Sequence, residues 1–199
     1  MSNSSYEKPD FWAQKARREG YPARSVYKLQ EIDKKFTLVK PGMRILDIGA
    51  APGSWSLWLL KRLAGSGSLV AVDLQPLGID LGQNGFSFYQ GDIHDESLRS
   101  NLAAQGPYNL VLSDAAPATT GNRVVDQGGS EAIVEAVIGC AEEMLAPGGA
   151  VVAKIFQGGA EAALLKRLRS RFSAARGFKP EACRAESFET YLVATGFKG

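Results

Sequence analysis

Histidine and cysteine are nearly absent from this 199-residue chain: there is one histidine, His94, and two cysteines, Cys140 and Cys183. Two cysteines cannot build a disulfide framework, and neither has the spacing of a metal ligand. The shortage disfavours a zinc site, a Ser-His-Asp triad and a Cys-His pair, so no metal is expected. Acid–base chemistry must then rest mainly on Asp, Glu, Lys or Tyr. Long apolar runs are missing too, which disfavours a membrane span. The opening residues, Met1 to Tyr6, have no apolar core of a signal peptide, and the expectation is a cytoplasmic protein. Internal repeats, low-complexity tracts and Pro/Gly-rich linkers are also lacking, so the expectation is one domain over residues 1–199, with a basic N-terminal helical extension to about residue 40.

The chain is 45% hydrophobic and 22% charged, the balance of a globular protein with a sizeable core. Its net charge is only +2, but the charge is unevenly placed. Residues 1–40 hold nine Lys/Arg against five Asp/Glu, residues 41–153 hold five against twelve, and residues 154–184 hold eight against two. An acidic middle between basic flanks suits two solvated helical faces or a surface for a polyanion, and charge alone does not choose between them.

Apolar periodicity predicts a short basic helix over 9–19, stopped by Gly20, and a second helix from Ser25, with Val26, Leu29, Ile32 and Phe36 on one face. Lys28 lies off that face. Strands are then expected at 44–48, 68–73, 87–90, 109–113, 150–156, 179–183 and 190–195. Helices are expected at 54–63, 96–104, 130–145 and 160–172. Such alternation indicates a doubly wound α/β fold, in which ligands bind beyond the carboxyl ends of the strands.

After the first strand the sequence reads Asp47-Ile-Gly49-Ala50-Ala51-Pro52-Gly53-Ser54-Trp55. A glycine turn from strand into helix lets a ligand approach backbone N–H groups. Asp73 ends the second strand, where a carboxylate accepts from ribose hydroxyls; Asp92 follows the third strand and suits an adenine amino group. The turn is not G-x-G-x-x-G, and Asp47 would repel phosphates while suiting a sulfonium cation. These features favour S-adenosylmethionine over a dinucleotide. The candidate cofactor contacts are Asp47, Gly49, Ala50, Pro52, Gly53, Trp55, Asp73, Leu74, Asp92, Ile93 and Asp114.

The segments Gly42–Trp55, Ser113-Asp114-Ala-Ala-Pro117, Val152-Ala-Lys154-Ile-Phe-Gln-Gly158 and Glu189-Thr-Tyr-Leu-Val-Ala-Thr-Gly196, with Ala23–Ile32 upstream, resemble the FtsJ/RrmJ family from about Tyr21 onward. These are 2'-O-ribose methyltransferases of the ribosomal RNA large-subunit methyltransferase E type. The resemblance implies a Rossmann-like S-adenosylmethionine-dependent methyltransferase fold with a mostly parallel seven-stranded sheet and helices on both faces. It implies a catalytic tetrad, here Lys28, Asp114, Lys154 and Glu189. It also implies methyl transfer to a ribose 2'-hydroxyl, on a uridine of 23S ribosomal RNA in the large subunit. The chain departs from the family's bacterial pattern at Ala118, at 125–129 and, less importantly, at Ser54.

Lys154 interrupts a run that otherwise reads as buried strand, Ala150 to Phe156, and a lysine there is costly unless paired or functional. It is the candidate general base, with Lys28 a nearby cation to lower its pKa, Asp114 its orienting partner and Glu189 a positioning group. Taken singly, Lys28 and Glu189 read as easily as surface charges. Arg17, Arg18, Arg24, Lys166, Arg167, Arg169 and Arg171 are the candidate RNA contacts, with Phe11, Trp12 and Tyr21 interleaved either to stack on bases or to anchor the N-terminal helix. The expected partner is RNA, and the expected state a monomer. Competing readings are a transfer RNA methyltransferase, a non-catalytic RNA-binding ribosome-assembly factor, a small-molecule methyltransferase and a nicotinamide dehydrogenase.

Overall fold

The computed structural model describes residues 10–82, 84–184 and 187–199. Seven strands form one mixed sheet: β1 (Arg44–Ile48), β2 (Ser68–Asp73), β3 (Phe86–Gln90), β4 (Tyr108–Ser113), β5 (Leu145–Phe156), β6 (Phe172–Phe178) and β7 (Glu189–Phe197). Their order across the sheet is β3-β2-β1-β4-β5-β7-β6. All neighbours are parallel except β7, which runs antiparallel to both β5 and β6. The chain reverses its direction of travel across the sheet between β1 and β4, and the carboxyl ends of those strands frame the crevice where such folds bind ligands.

The central strands are covered on both faces, so they read as continuous apolar runs rather than alternating ones. Ile45, Leu46, Leu110, Val111, Leu112, Val151 and Val152 are all essentially inaccessible. One face packs under α4 (Glu96–Ala103), α5 (Arg123–Met144) and α6 (Glu161–Arg171). The other lies under α1 (Phe11–Arg18), α2 (Val26–Phe36) and α3 (Ser54–Leu63). Helix α2 buries Val26, Leu29 and Ile32 as its spacing predicts. Its exit is fixed by Asp33, whose carboxylate accepts from the backbone N–H groups of Leu38 at 2.9 Å and Val39 at 2.8 Å.

Most expected elements lie within a residue or two of their places, with three differences. The last-but-one strand is Phe172–Phe178, not 179–183. Pro180 lacks an N–H for a ladder, and the stretch containing it forms the crossing to β7 instead. Helix α5 begins at Arg123 rather than Ser130, because Asn122 caps it by accepting from the N–H groups of Val124 at 3.1 Å and Val125 at 3.4 Å. Gly128 and Gly129 weaken that first stretch as helix, but a Cβ at Gly129 would come within 3.0 Å of Pro117, so glycine lets α5 approach the turn after β4. Strand β5 starts at Leu145, pairing there with Tyr108, and its register shifts before Ala150. The N-terminal helix is Phe11–Arg18, and Pro9 of the expected span lies outside the described residues.

Candidate active site and cofactor cleft

Beyond the carboxyl ends of β1, β2 and β4 lies a cleft of about 380 Å³, lined among others by Gly49, Ala51, Asp73, Leu74, Asp92, Ile93, Asp114 and Ile133. That volume lies within the range of sites that hold drug-sized ligands. Gly49 sits at φ +76°, and a Cβ there would lie 2.6 Å from Ala115. Only glycine therefore lets the turn after β1 approach the turn after β4. Asp73 braces the same turn: its Oδ2 accepts from the N–H of Ala51 and its Oδ1 from the N–H of Gln75, each at 2.8 Å. Asp73 itself lines the cleft. Asp92 accepts from the His94 N–H at 2.9 Å and meets His94 Nδ1 at 2.8 Å. Those hydrogen bonds hold its carboxyl below the usual carboxylate range.

Five of the residues expected to touch a cofactor are absent from the cleft wall: Asp47, Ala50, Pro52, Gly53 and Trp55. Trp55 is buried and donates its indole N–H to the Ser25 carbonyl at 2.8 Å, which ties α3 to the start of α2. Gly53 packs against Ile79. Asp47 is fully buried beneath the turn. Its Oδ2 accepts from the Ser56 hydroxyl at 2.7 Å, and its Oδ1 has no hydrogen-bond partner among the described residues. Burial, opposed by the Ser56 hydrogen bond and reinforced by Asp114 and Asp73, pushes its pKa up to about 7. Asp47 thus keeps one unpartnered buried oxygen under the turn, while the glycine turn and the two strand-end aspartates line a cleft that fits a sulfonium nucleoside. Conversely, Ala51, Gln75, His94, Ala115, Ala116 and Ile133 line the cleft and were not anticipated; being ordinary turn or helix residues, they carried no local signal.

The four residues of the expected tetrad come together at the edge of this cleft, from four separate elements. Asp114 follows β4, Lys154 lies in β5, Glu189 opens β7 and Lys28 projects from α2. The β4–β5 register places Ser113 beside Ala153, and so Asp114 beside Lys154. Two ion pairs result. Lys28 Nζ meets Glu189 Oε1 at 2.6 Å; Lys154 Nζ meets Asp114 Oδ1 at 3.2 Å and donates to the Asp114 carbonyl at 2.6 Å. Asp114 Oδ1 also accepts from the Tyr191 hydroxyl at 2.6 Å. Burial opposes the charge on Lys28, but Asp114 and Glu189 outweigh it and raise its pKa above the ordinary lysine value. Tyr191 is raised well above the ordinary phenol, chiefly by burial and then by Asp114 and Glu189, so it remains a donor. Its contact with Asp114 was missed; the signal was its place two residues after Glu189, on the same face of the strand.

Pair Lys28–Glu189 also lines a second cavity, of about 420 Å³, with Arg24, Arg184, Ser25 and Ser187 on its walls. Arg24 is held there by the Asp10 carboxylate and by the Ala182 carbonyl at 2.5 Å. Arg17 and Arg18 are exposed on α1. Trp12 packs against Tyr27 and Tyr21 is buried, so these two rings anchor the N-terminal helix, whereas Phe11 is 60% exposed.

The basic residues of α6 lie apart from this surface. Arg167 is bound to Glu135 and Glu142 on α5. Arg169 donates to the Ala175 carbonyl at 3.3 Å, and Arg171 lies over Phe197. Both follow the chain to Phe172, which pairs with Phe197 at the end of β7 remote from Glu189. Lys166 is exposed on the same helix. The physical reason is that α6 runs antiparallel to the neighbouring strand β5, which carries its last turn away from the strands' carboxyl ends.

The family described as FtsJ-like methyltransferase matches residues 21–197. A protein of Treponema denticola named ribosomal RNA large subunit methyltransferase E is 49% identical over the whole of both chains. One of the same name from Treponema pallidum (strain Nichols) is 45% identical over 98% of this chain and 96% of that one. Among solved structures, a chain described as a ribosomal RNA methyltransferase of Plasmodium falciparum has a TM-score of 0.79 at 28% identity, covering 90% of this chain and all of that one. A chain of a fibrillarin/Nop5p complex shares the fold, with a TM-score of 0.63 at 19% identity over 86% of this chain and 83% of that one.

Proposed function

The chain belongs to the FtsJ-like methyltransferase family, and on that premise we propose that it methylates a ribose 2'-hydroxyl of large-subunit ribosomal RNA, with a uridine of 23S ribosomal RNA as the target. The two abutting ion pairs at the edge of a nucleoside-sized cleft carry this reading. S-adenosylmethionine supplies the methyl group as a sulfonium when bound. Asp73 and Asp92 would hold its ribose and adenine from the strand ends, with Gly49 admitting it to the turn and Leu74 and Ile93 lining the walls.

The chain's own residues then have two tasks, alignment and proton removal. Lys154 is placed to take the hydroxyl proton, oriented by the carboxylate and the carbonyl of Asp114. Tyr191 fixes Asp114 in turn. Lys28 is held as an ammonium by Asp114 and Glu189, which suits it to stabilise the oxygen rather than to accept a proton. This divides the tasks of the two lysines: Lys28 supplies positive charge and Lys154 receives the proton. Glu189 positions Lys28.

Arg24, Arg17 and Arg18 are proposed to hold RNA phosphates on the side of α1 and α2. Residues 1–199 are read as one methyltransferase domain with the basic extension preceding β1, working as a cytoplasmic monomer. Among the described residues no helix is long and apolar enough to cross a membrane.

The test is methyl transfer from labelled S-adenosylmethionine to unmodified large ribosomal subunits, free ribosomal RNA and transfer RNA in parallel, with the labelled ribose mapped. Label on a large-subunit ribose is the expected result. Label on transfer RNA alone would overturn the target, and label on no RNA would overturn the activity.

A further inference from the structure

A methylated ribose inside an RNA strand has a neighbour on each side, so the strand must pass the tetrad in two directions. On the α2 side it meets the cavity of Arg24 and Arg184. On the α5 side the structure presents a different surface. Phe188 immediately precedes Glu189, and its ring packs edge-to-face on Phe156 at 4.9 Å between centroids. Phe156 is itself paired with Glu189 across β5 and β7. The guanidinium of Arg123 lies over the Phe188 ring, 5.5 Å from its centroid.

Folding does not explain this arrangement. Arg123 is the first residue of α5, is exposed and makes no ion pair among the described residues. A cation at a helix N-terminus faces the positive end of the helix dipole and is disfavoured there. The next two residues, Val124 and Val125, are 77% and 55% exposed, although few large apolar side chains among the described residues lie in water. The turn is nonetheless firmly built. Asp126 is buried and accepts from the backbone N–H and the hydroxyl of Thr120, each at 2.8 Å, which closes the loop between Asp114 and α5.

We propose that Arg123 and Phe188 form a stacking platform for an unpaired base of the RNA substrate adjacent to the methylated ribose, an inference that rests on the RNA methyltransferase reading above. A flat cation braced on an aromatic ring suits an anionic strand whose bases present π faces. The platform is specificity-determining and takes no part in proton transfer.

The test uses the full chain with Arg123→Ala, Arg123→Lys and Phe188→Ala. Methyl transfer is measured to unmethylated large ribosomal subunits, and equilibrium binding to the same subunits and to protein-free ribosomal RNA. Loss of one stacked base predicts a rise in KM for subunits of roughly tenfold for Phe188→Ala and Arg123→Ala, with kcat and S-adenosylmethionine affinity within about twofold. Arg123→Lys keeps the charge but not the plane, and is expected to restore less than half of the loss. Full rescue by lysine would show a phosphate contact and overturn stacking, as would unchanged KM in both alanine variants. Weakened binding to subunits with unchanged binding to protein-free RNA would assign the surface to a ribosomal protein, again overturning the proposal. Wild-type protein that labels no RNA would instead sink the functional reading on which it rests.

Discussion

Replacing Asp47 by Asn should remove a pH-dependent cost to stability that the fold carries for its cofactor site. Asp47 is wholly buried, keeps one hydrogen bond from Ser56 and has an unpartnered Oδ1. Its pKa of about 7 in the folded protein stands against 3.8 for the ordinary group. A carboxyl with a raised folded pKa binds its proton more tightly in the native state, so it favours folding at low pH. That contribution is lost as pH rises through about 7. Between pH 5 and pH 7 the unfolded chain is ionised at this position and the native one is not. Those two units, at about 1.4 kcal/mol each, predict a fall in unfolding free energy of about 3 kcal/mol from pH 5 to pH 8.5. The carboxylates with lowered pKa values, Asp10, Asp92, Asp95, Asp126 and Glu161, titrate below this window and leave it undisturbed. Urea unfolding at pH 5, 6, 7 and 8.5, without cofactor, gives the comparison. Wild-type protein should lose stability relative to Asp47→Asn by that amount across the range, and Asn should be the more stable of the two at pH 8.5. Parallel curves for the two proteins would show that Asp47 ionises as readily in the fold as in water, and the account of it as an uncompensated buried acid would be wrong.

Other consequences can be checked in the same preparations. Lys154→Ala should lower methyl transfer by at least a hundredfold, the scale of a lost general base, while S-adenosylmethionine binding by equilibrium dialysis stays within about threefold; retained turnover would remove Lys154 from its role. Glu189→Ala leaves the Lys28 ammonium, 12% exposed, without its closest partner, and should cost about 3 kcal/mol in urea unfolding. Adding Lys28→Met to that variant should recover part of the loss, since the unpaired charge is then gone; no recovery would show that the pair contributes through packing. Ribosomal RNA binding should weaken with salt at a slope of about −2 in log K against log concentration if Arg17, Arg18 and Arg24 each meet one phosphate of a single strand, and a flat response would exclude a phosphate-tracking surface.

The sheet was legible because a strand buried on both faces is written as an uninterrupted apolar run, and five such runs are punctuated by Gly, Pro or Asp at their ends. Arg44–Ile48 and Ser68–Asp73 lie where their composition put them. Strand β6 was not legible, since Phe172 to Phe178 includes Ser173, Arg176 and Gly177 and belongs to the sheet's outer edge, where burial imposes little pattern. The first turn of α5 was hidden for a different reason. Gly128 and Gly129 argue locally against a helix, and the close approach of Pro117, which no local rule can foresee, explains glycine at 129, while Gly128 has open space around it.

The site divides along the same line. Residues at strand ends, such as Asp73, Asp92 and Asp114, announced themselves because the fold directs strand ends at the ligand. Lys154 did so because a lysine inside an apolar strand demands a partner, and the structure supplies one. Asp47, Trp55 and Arg167 share one property: the residue type signals that a side chain must be satisfied, but not by what. Asp47 turned inward to Ser56, Trp55 to the Ser25 carbonyl and Arg167 to two glutamates of α5. Arg167 therefore has little charge left to offer an RNA phosphate. Arg123, braced on the Phe188 ring and paired with no carboxylate among the described residues, keeps its charge near Glu189, whereas Arg171, braced in the same way on Phe197, lies at the far end of β7.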